Sequence, residues 1–299
     1  MQYESVTVLS KEYSLSLLVF TAKEAKGTMQ IVHGMEEHKE RYIKFAEFLQ
    51  ANGYNVVVSD LRGHGKDAPE LSHIEGVTGQ GKLLLEDQKE IRKYIQNRFP
   101  NVPLILFGHS MGSIISRVIL QSDSKEYSKV VLSGYVNPNG ASGVAYALAT
   151  IISVFKSPRG HSKLMDNLAV GQFGKAIKDR KTELDWLSYN EENVQKYIDD
   201  PYCGVPFSLG SYKALFSLLK NMGKAKKYKD INEDLPFLLV SGKDDPCAGG
   251  DKGREQSQSV LKKAGFKNLS VITYEGMRHE ILNELDYQKV YDDILKFLN

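Results

Sequence analysis

Ser110 stands in "LILFGHSMGS", with Gly108 and Gly112 each two residues away, an apolar run before it and a helical pattern after it. A serine hydroxyl is a weak nucleophile at neutral pH. It needs a base to take its proton and a carboxylate to orient that base. The G-x-S-x-G pattern recurs by chance, so its surroundings decide. Between a strand and a helix the chain must turn sharply, and side chains at 108 and 112 would collide with the neighbouring strand and helix. The two glycines therefore mark a nucleophile elbow with Ser110 as nucleophile.

The partners must lie downstream if the order is serine, acid, histidine. "LLVSGKDDPC" closes an apolar run with Asp244 and Asp245, and "TYEGMRHEIL" sets His279 just beyond the last apolar run. Among the seven histidines, His33, His38, His64 and His73 precede the serine, His109 adjoins it and is expected to point away, and His161 lies far from any strand. His279 is the candidate base, and Asp245 is favoured over Asp244 as the acid. Two backbone N–H groups should hold the oxyanion: that of Met111, after the serine, and that of Met35, where Gly34 of "VHGMEEH" lets the backbone approach. Cys247, two residues past Asp245, is expected near the acid as a buried thiol.

These residues need a frame that brings distant loops together. "YESVTVLS" and "SLSLLVFTA" read as two strands joined by a turn, "GTMQIVHG", "YNVVVSD" and "PLILFG" as strands of buried type, and "SKVVLSGY", "LPFLLVSG" and "NLSVITYEG" as three more short strands. Helical patterns separate them: "KERYIKFAEFLQANG", closed by Asn52 and Gly53; "TGQGKLLLEDQKEIRKYIQNRFP", stopped at Pro100; and "SMGSIISRVILQS". Strands alternating with helices predict an α/β fold, a doubly wound, mostly parallel sheet with N-terminal antiparallel edge strands. Functional groups then gather at the C-terminal strand ends. Residues 137–229 carry helical patterns and no strand run, which predicts a helical cap inserted between two parts of one core, 1–136 and 230–299.

Composition narrows the function. A chain of 299 residues with a net charge of +2, 41% hydrophobic and 25% charged residues, has no electrostatic footprint for nucleic acid. No apolar stretch approaches the length of a membrane span, and the first residues lack a secretory pattern, so a protein that keeps its N-terminus is expected. Two cysteines, Cys203 and Cys247, are too few for a disulfide framework and lack C-x-x-C spacing; a reducing cytoplasm is expected. No metal and no cofactor are expected for the chemistry. The lysine run "KNMGKAKKYKD" reads as a solvated helix face, with at most transient contact with a membrane surface.

"VHGMEEHKERY", "DLRGHGKD", "FGHSMGS", "SGKDDP" and "YEGMRHEILNE", in this order, resemble the monoglyceride lipase and lysophospholipase branch of the α/β-hydrolases, the serine aminopeptidase-like hydrolases. The resemblance covers most of the chain outside the insertion. It implies Ser110 as nucleophile, Asp245 as acid, being the aspartate of G-x-x-D counted from Gly242, His279 as base, and Met35 and Met111 as the oxyanion hole. It also implies a structural part for the turn of Asp60, Arg62, Gly63, His64 and Gly65. The implied activity is hydrolysis of a small-molecule ester of monoacylglycerol or lysophospholipid type through an acyl-serine. Three other readings stay open: a peptidase whose Glu36 and Glu37 hold an α-amino group, a catalytically silent binding module, and acyl transfer to another acceptor. The oligomeric state is not legible in the sequence.

Overall fold

The computed structural model describes residues 3–74, 80–138 and 142–299. Thr78 and Gly79, at the head of the second predicted helix, and residues 139–141, near the start of the predicted insertion, lie outside the described residues.

The strands are β1 (Tyr3–Ser10), β2 (Tyr13–Phe20), β3 (Gly27–Val32), β4 (Tyr54–Ser59), β5 (Leu104–His109), β6 (Lys129–Ser133), β7 (Phe237–Gly242) and β8 (Leu269–Tyr274). They form one sheet in the order β1-β2-β4-β3-β5-β6-β7-β8. β1 pairs with β2 and β2 with β4 in antiparallel fashion, and the other neighbours are parallel. The predicted antiparallel edge and parallel body are both present.

A strand covered on both faces reads as a continuous apolar run, because alternate residues enter different cores. In β5, Leu104 and Leu106 join one core while Ile105 and Phe107 join the other. The first core lies under α2 (Lys82–Arg98) and α3 (Met111–Asp123), the second under α1 (Ile43–Ala51) and α10 (Tyr287–Leu298). Gln30 is a polar residue in the buried run of β3. It is satisfied by donating to the Gln88 side chain at 3.0 Å and to its carbonyl at 3.1 Å. α1 ends as the sequence indicates, with Gly53 at φ 88°, a conformation glycine adopts without a Cβ clash.

Between β6 and β7 the described residues form helices: α4 (Ser142–Lys156), α5 (Lys163–Asp166), α6 (Gln172–Lys175), α7 (Glu191–Asp199) and α8 (Leu209–Met222), with a π-turn over Asn167–Gly171. No strand occurs there among the described residues. α8 is buried along most of its length and joins the first core. α9 (Gly250–Ala264) connects β7 to β8.

Candidate active site

Ser110 occupies the single residue between β5 and α3, at φ 51° and ψ −118°. Such a backbone costs of order 1–3 kcal/mol for a residue with a Cβ and persists only when its surroundings enforce it. Here the Ser110 N–H donates to the Ser133 carbonyl at 3.0 Å, which pins the turn to β6. The two flanking glycines are sterically compelled. A Cβ on Gly108 would lie 2.5 Å from the Gly112 carbonyl oxygen, and one on Gly112 would lie 1.9 Å from that of Val32. The elbow thus wedges α3 directly against the end of β3.

Parallel register brings the downstream groups to the same edge. His109 is level with Ser133, Ser133 with Val240, and Gly242 with Tyr274, so the loops after β5, β7 and β8 open side by side. Asp245 and His279 leave two of those loops, both buried. The Asp245 Oδ2 lies 2.9 Å from the His279 Nδ1, and its Oδ1 accepts the Cys247 N–H at 2.8 Å. Asp244 points elsewhere: it is exposed and accepts the Tyr189 hydroxyl at 3.1 Å. The buried Nε2 of His279 has no hydrogen-bond partner among the described residues.

Ser110, His279, Met35 and Met111 line one cavity of about 630 Å³. Met111 is the first residue of α3, so its N–H is one of the helix's unpaired terminal donors and lies at the positive end of the helix dipole. Gly34 lies against the elbow: a Cβ there would come within 3.1 Å of the Ser110 Cβ. The cavity walls are largely apolar, with Leu148, Leu168, Phe173, Leu215 and Leu219 supplied by the helices between β6 and β7.

Three further features shape the site. First, the rings of His109 and Trp186 flank the His279 imidazole, with centroids 4.9 Å and 5.1 Å away. His109 was expected to point away from the serine, and its ring packs on the candidate base. Second, a buried ion network joins the Gly34 loop to the residue after His279. Glu37 accepts the Gly34 N–H at 2.5 Å and the Tyr42 hydroxyl at 2.8 Å. Arg41 bridges Glu37, at 3.2 Å, to both oxygens of Glu280, at 2.5 and 2.7 Å, and Asn193 of α7 donates to Glu280 at 2.6 Å. Third, Glu36 lines the cavity at φ 56°, its carbonyl accepting the Tyr197 hydroxyl at 2.8 Å and the Gly204 N–H at 3.0 Å.

Burial and charge set the protonation states. For His279, burial opposes the imidazolium, but the Asp245 carboxylate outweighs it and holds the ring well above its ordinary 6.5. His109 is pushed down to about 3, chiefly by burial and then by the charge of His279, and stays neutral. Burial lifts the Cys247 thiol to about 11. Burial, helped by the nearby Asp166, lifts Glu36 to about 8, so at neutral pH it is an uncharged donor in an apolar cavity.

The turn at Asp60 to Gly65 stays outside this chemistry. Arg62 makes a two-pronged bond to Asp87, 2.6 Å on each side, and Asp60 accepts the Lys39 N–H at 2.9 Å and its ammonium. Both cysteines are free and buried. Among the described residues, no helix is long and apolar enough to cross a membrane.

Comparison with known proteins agrees with this architecture. A monoacylglycerol lipase of Mycolicibacterium smegmatis is 27% identical over 279 residues, covering 92% of this chain and 89% of that one. A phospholipase YtpA of Bacillus subtilis is 24% identical over 266 residues, covering 87% and 90%. Among solved structures, a thermostable carboxyl esterase of Bacillus coagulans in complex with glycerol superposes with a TM-score of 0.91 at 23% identity, over 100% of this chain and 98% of that one. A soluble variant of the monoglyceride lipase of Saccharomyces cerevisiae, in complex with a substrate analogue, gives 0.73 at 19% identity, over 100% and 94%. The family model described as "Serine aminopeptidase, S33" matches residues 23–286, from before β3 to the start of α10, and the chain, with its elbow after β5 and its mostly parallel sheet, belongs to that family of α/β-hydrolases.

Proposed function

We propose that this protein is a serine carboxylic-ester hydrolase acting on small lipophilic esters, of monoacylglycerol or lysophospholipid type, with Ser110, His279 and Asp245 as its catalytic set. The observation that carries the reading is the convergence of a strained Ser110 and an Asp245-bonded His279 on one apolar cavity.

The steps follow from the atoms. Asp245 keeps the His279 proton on Nδ1, which leaves Nε2 to accept the proton of Ser110 as its oxygen attacks the acyl carbonyl. The N–H groups of Met35 and Met111 take the developing oxyanion. His279 returns the proton to the departing alcohol, then takes one from a water that attacks the acyl-serine and releases the acid. Residues 137–229 act as a cap whose helices supply the acyl-chain wall. Val144, Val154 and Phe155 of α4 are exposed at 73%, 76% and 83%, which supports transient contact with a lipid surface. Two unpaired cysteines fit a reducing compartment such as the cytoplasm.

The peptidase reading has one supporting observation, the Glu36 carboxyl in the cavity wall. Glu37 is already engaged by Gly34, Arg41 and Tyr42, so it is poorly placed to hold an α-amino group. Hydrolysis of p-nitrophenyl esters from acetate to palmitate, by the parent and by Ser110→Ala, tests the proposal. Activity with a chain-length optimum, lost in the variant, is expected. Cleavage of aminoacyl amides with every ester left intact would overturn it in favour of the peptidase.

A further inference from the structure

Away from the candidate active site, a second group of metal-ligating side chains joins the core to the helices between β6 and β7. Asp200-Pro201-Tyr202-Cys203 is a tight turn directly after α7: the Cys203 N–H donates to the Asp200 carbonyl at 3.1 Å, and the Tyr202 N–H donates to Asp200 Oδ1 at 2.9 Å. The turn presents a carboxylate and a thiol three residues apart, the spacing by which C-x-x-C knuckles offer two ligands to one ion. The remaining oxygen, Asp200 Oδ2, is hydrogen-bonded to His38 Nε2 at 2.7 Å, a bond that a bound ion would replace. One ligand atom from each of His38, Asp200 and Cys203 falls within 4.8 Å of the others.

The outer contacts suit a metal centre. His38 Nδ1 lies 2.7 Å from a Glu40 oxygen, the carboxylate–histidine arrangement that fixes the tautomer and turns Nε2 toward an ion. His38, Glu40, Asp200 and Tyr202 border an open cleft of about 730 Å³, which gives an ion a route in and a water room as fourth ligand. One thiolate, one imidazole and one carboxylate form a borderline-soft set that favours zinc over calcium or magnesium.

We propose that His38, Asp200 and Cys203 bind one zinc ion, which fastens the turn after α7 to the loop following β3. The clamp bears on the candidate active site indirectly. Gly204, next to Cys203, donates to the Glu36 carbonyl at 3.0 Å, so the clamped turn also holds the loop that carries Met35. The ion takes no part in the acyl chemistry, and the proposal stands whatever the substrate is.

Asp245, Cys247 and His279 form the competing cluster, with ligand atoms equally within 4.8 Å of one another. The test separates the two. The full chain, stripped with a chelator, is dialysed against zinc and, separately, against cobalt(II). One zinc per chain is expected, with affinity reduced at least about tenfold in Cys203→Ser and in Asp200→Asn. The cobalt form should show a thiolate-to-metal charge-transfer band in the parent and in Cys247→Ser but not in Cys203→Ser. Zinc should raise the thermal midpoint of the parent and leave that of Cys203→Ser unmoved. Failure of the parent to hold stoichiometric zinc, or a band that survives Cys203→Ser and vanishes in Cys247→Ser, would overturn the proposal.

Discussion

Replacing Asp245 by asparagine tests how the candidate base is oriented. The aspartate uses its two oxygens differently: Oδ1 accepts the Cys247 N–H at 2.8 Å, and Oδ2 lies 2.9 Å from His279 Nδ1. An asparagine can keep the Cys247 bond only through its carbonyl oxygen. That choice turns its NH₂ toward Nδ1, which must then accept, and the ring proton moves to Nε2. The atom that should take the serine proton becomes a donor. In serine proteases the equivalent loss of tautomer costs about four decades in kcat, and at about 1.36 kcal/mol per decade this is roughly 5 kcal/mol of barrier. The buried ring, held between His109 and Trp186, has little freedom to escape by rotation. We expect kcat on a short p-nitrophenyl ester to fall at least about a thousandfold, with Ser110→Ala as the floor. A second readout is the pH profile. The base works when neutral, so the Asp245-raised pKa places the acidic limb above 6.5, and its loss moves that limb to lower pH. A variant within tenfold of the parent, its limb unmoved, would refute the assignment.

Gly112→Ala should abolish folding or lower the urea midpoint sharply, because its Cβ would sit 1.9 Å from the Val32 carbonyl oxygen, a rigid backbone atom on the neighbouring strand. Glu280, held at about 2 mainly by Arg41 against the opposing effect of burial, stabilises the fold above its ordinary 4.5, and that contribution disappears as pH falls through about 2. Urea midpoints measured across that window should lose this slope in Glu280→Gln, and an unchanged slope would count against the Arg41 pairing. Glu36 acquires its charge above about 8. KM for an uncharged ester should therefore rise above that pH in the parent and stay flat in Glu36→Gln; parallel rises in both would exclude Glu36 as the group responsible.

The parts written in local sequence were legible. Buried strands announced themselves as apolar runs, the elbow as a serine between glycines that have no room for a Cβ, and α1 by its Asn52–Gly53 end. Asp245 and His279 were legible because parallel strands deliver their C-terminal loops to one edge. Residues whose role depends on long-range packing were not. Trp186 reaches His279 from the segment between β6 and β7, and no periodicity in that segment points to the ring it touches. Glu280 follows the candidate base directly, yet its partner Arg41 lies 239 residues away. His109 packs its ring on His279, a contact between residues 170 positions apart that strand alternation alone does not forecast.

The Glu37–Arg41–Glu280 network explains how a strained elbow is matched to a loop that must approach it closely. Ion pairs this deeply buried rarely add net stability, since desolvation offsets their attraction. This one has a geometric consequence that an apolar substitute would lack. The Gly34 N–H is buried beside the elbow and needs an acceptor, and Glu37 provides it at 2.5 Å while Arg41 holds Glu37 in place. The same guanidinium grips Glu280, the residue next to His279, so the loop after β3 and the loop after β8 are fixed relative to each other by one planar group. A lysine at 41 keeps the charge and cannot reproduce the fork. Arg41→Lys should therefore lower kcat on short esters more than it raises KM, because the candidate oxyanion donors and the candidate base lose their mutual register while the apolar cavity wall is untouched. A variant whose KM alone changed would show that the network serves substrate binding and leaves the alignment of the reacting groups to the sheet.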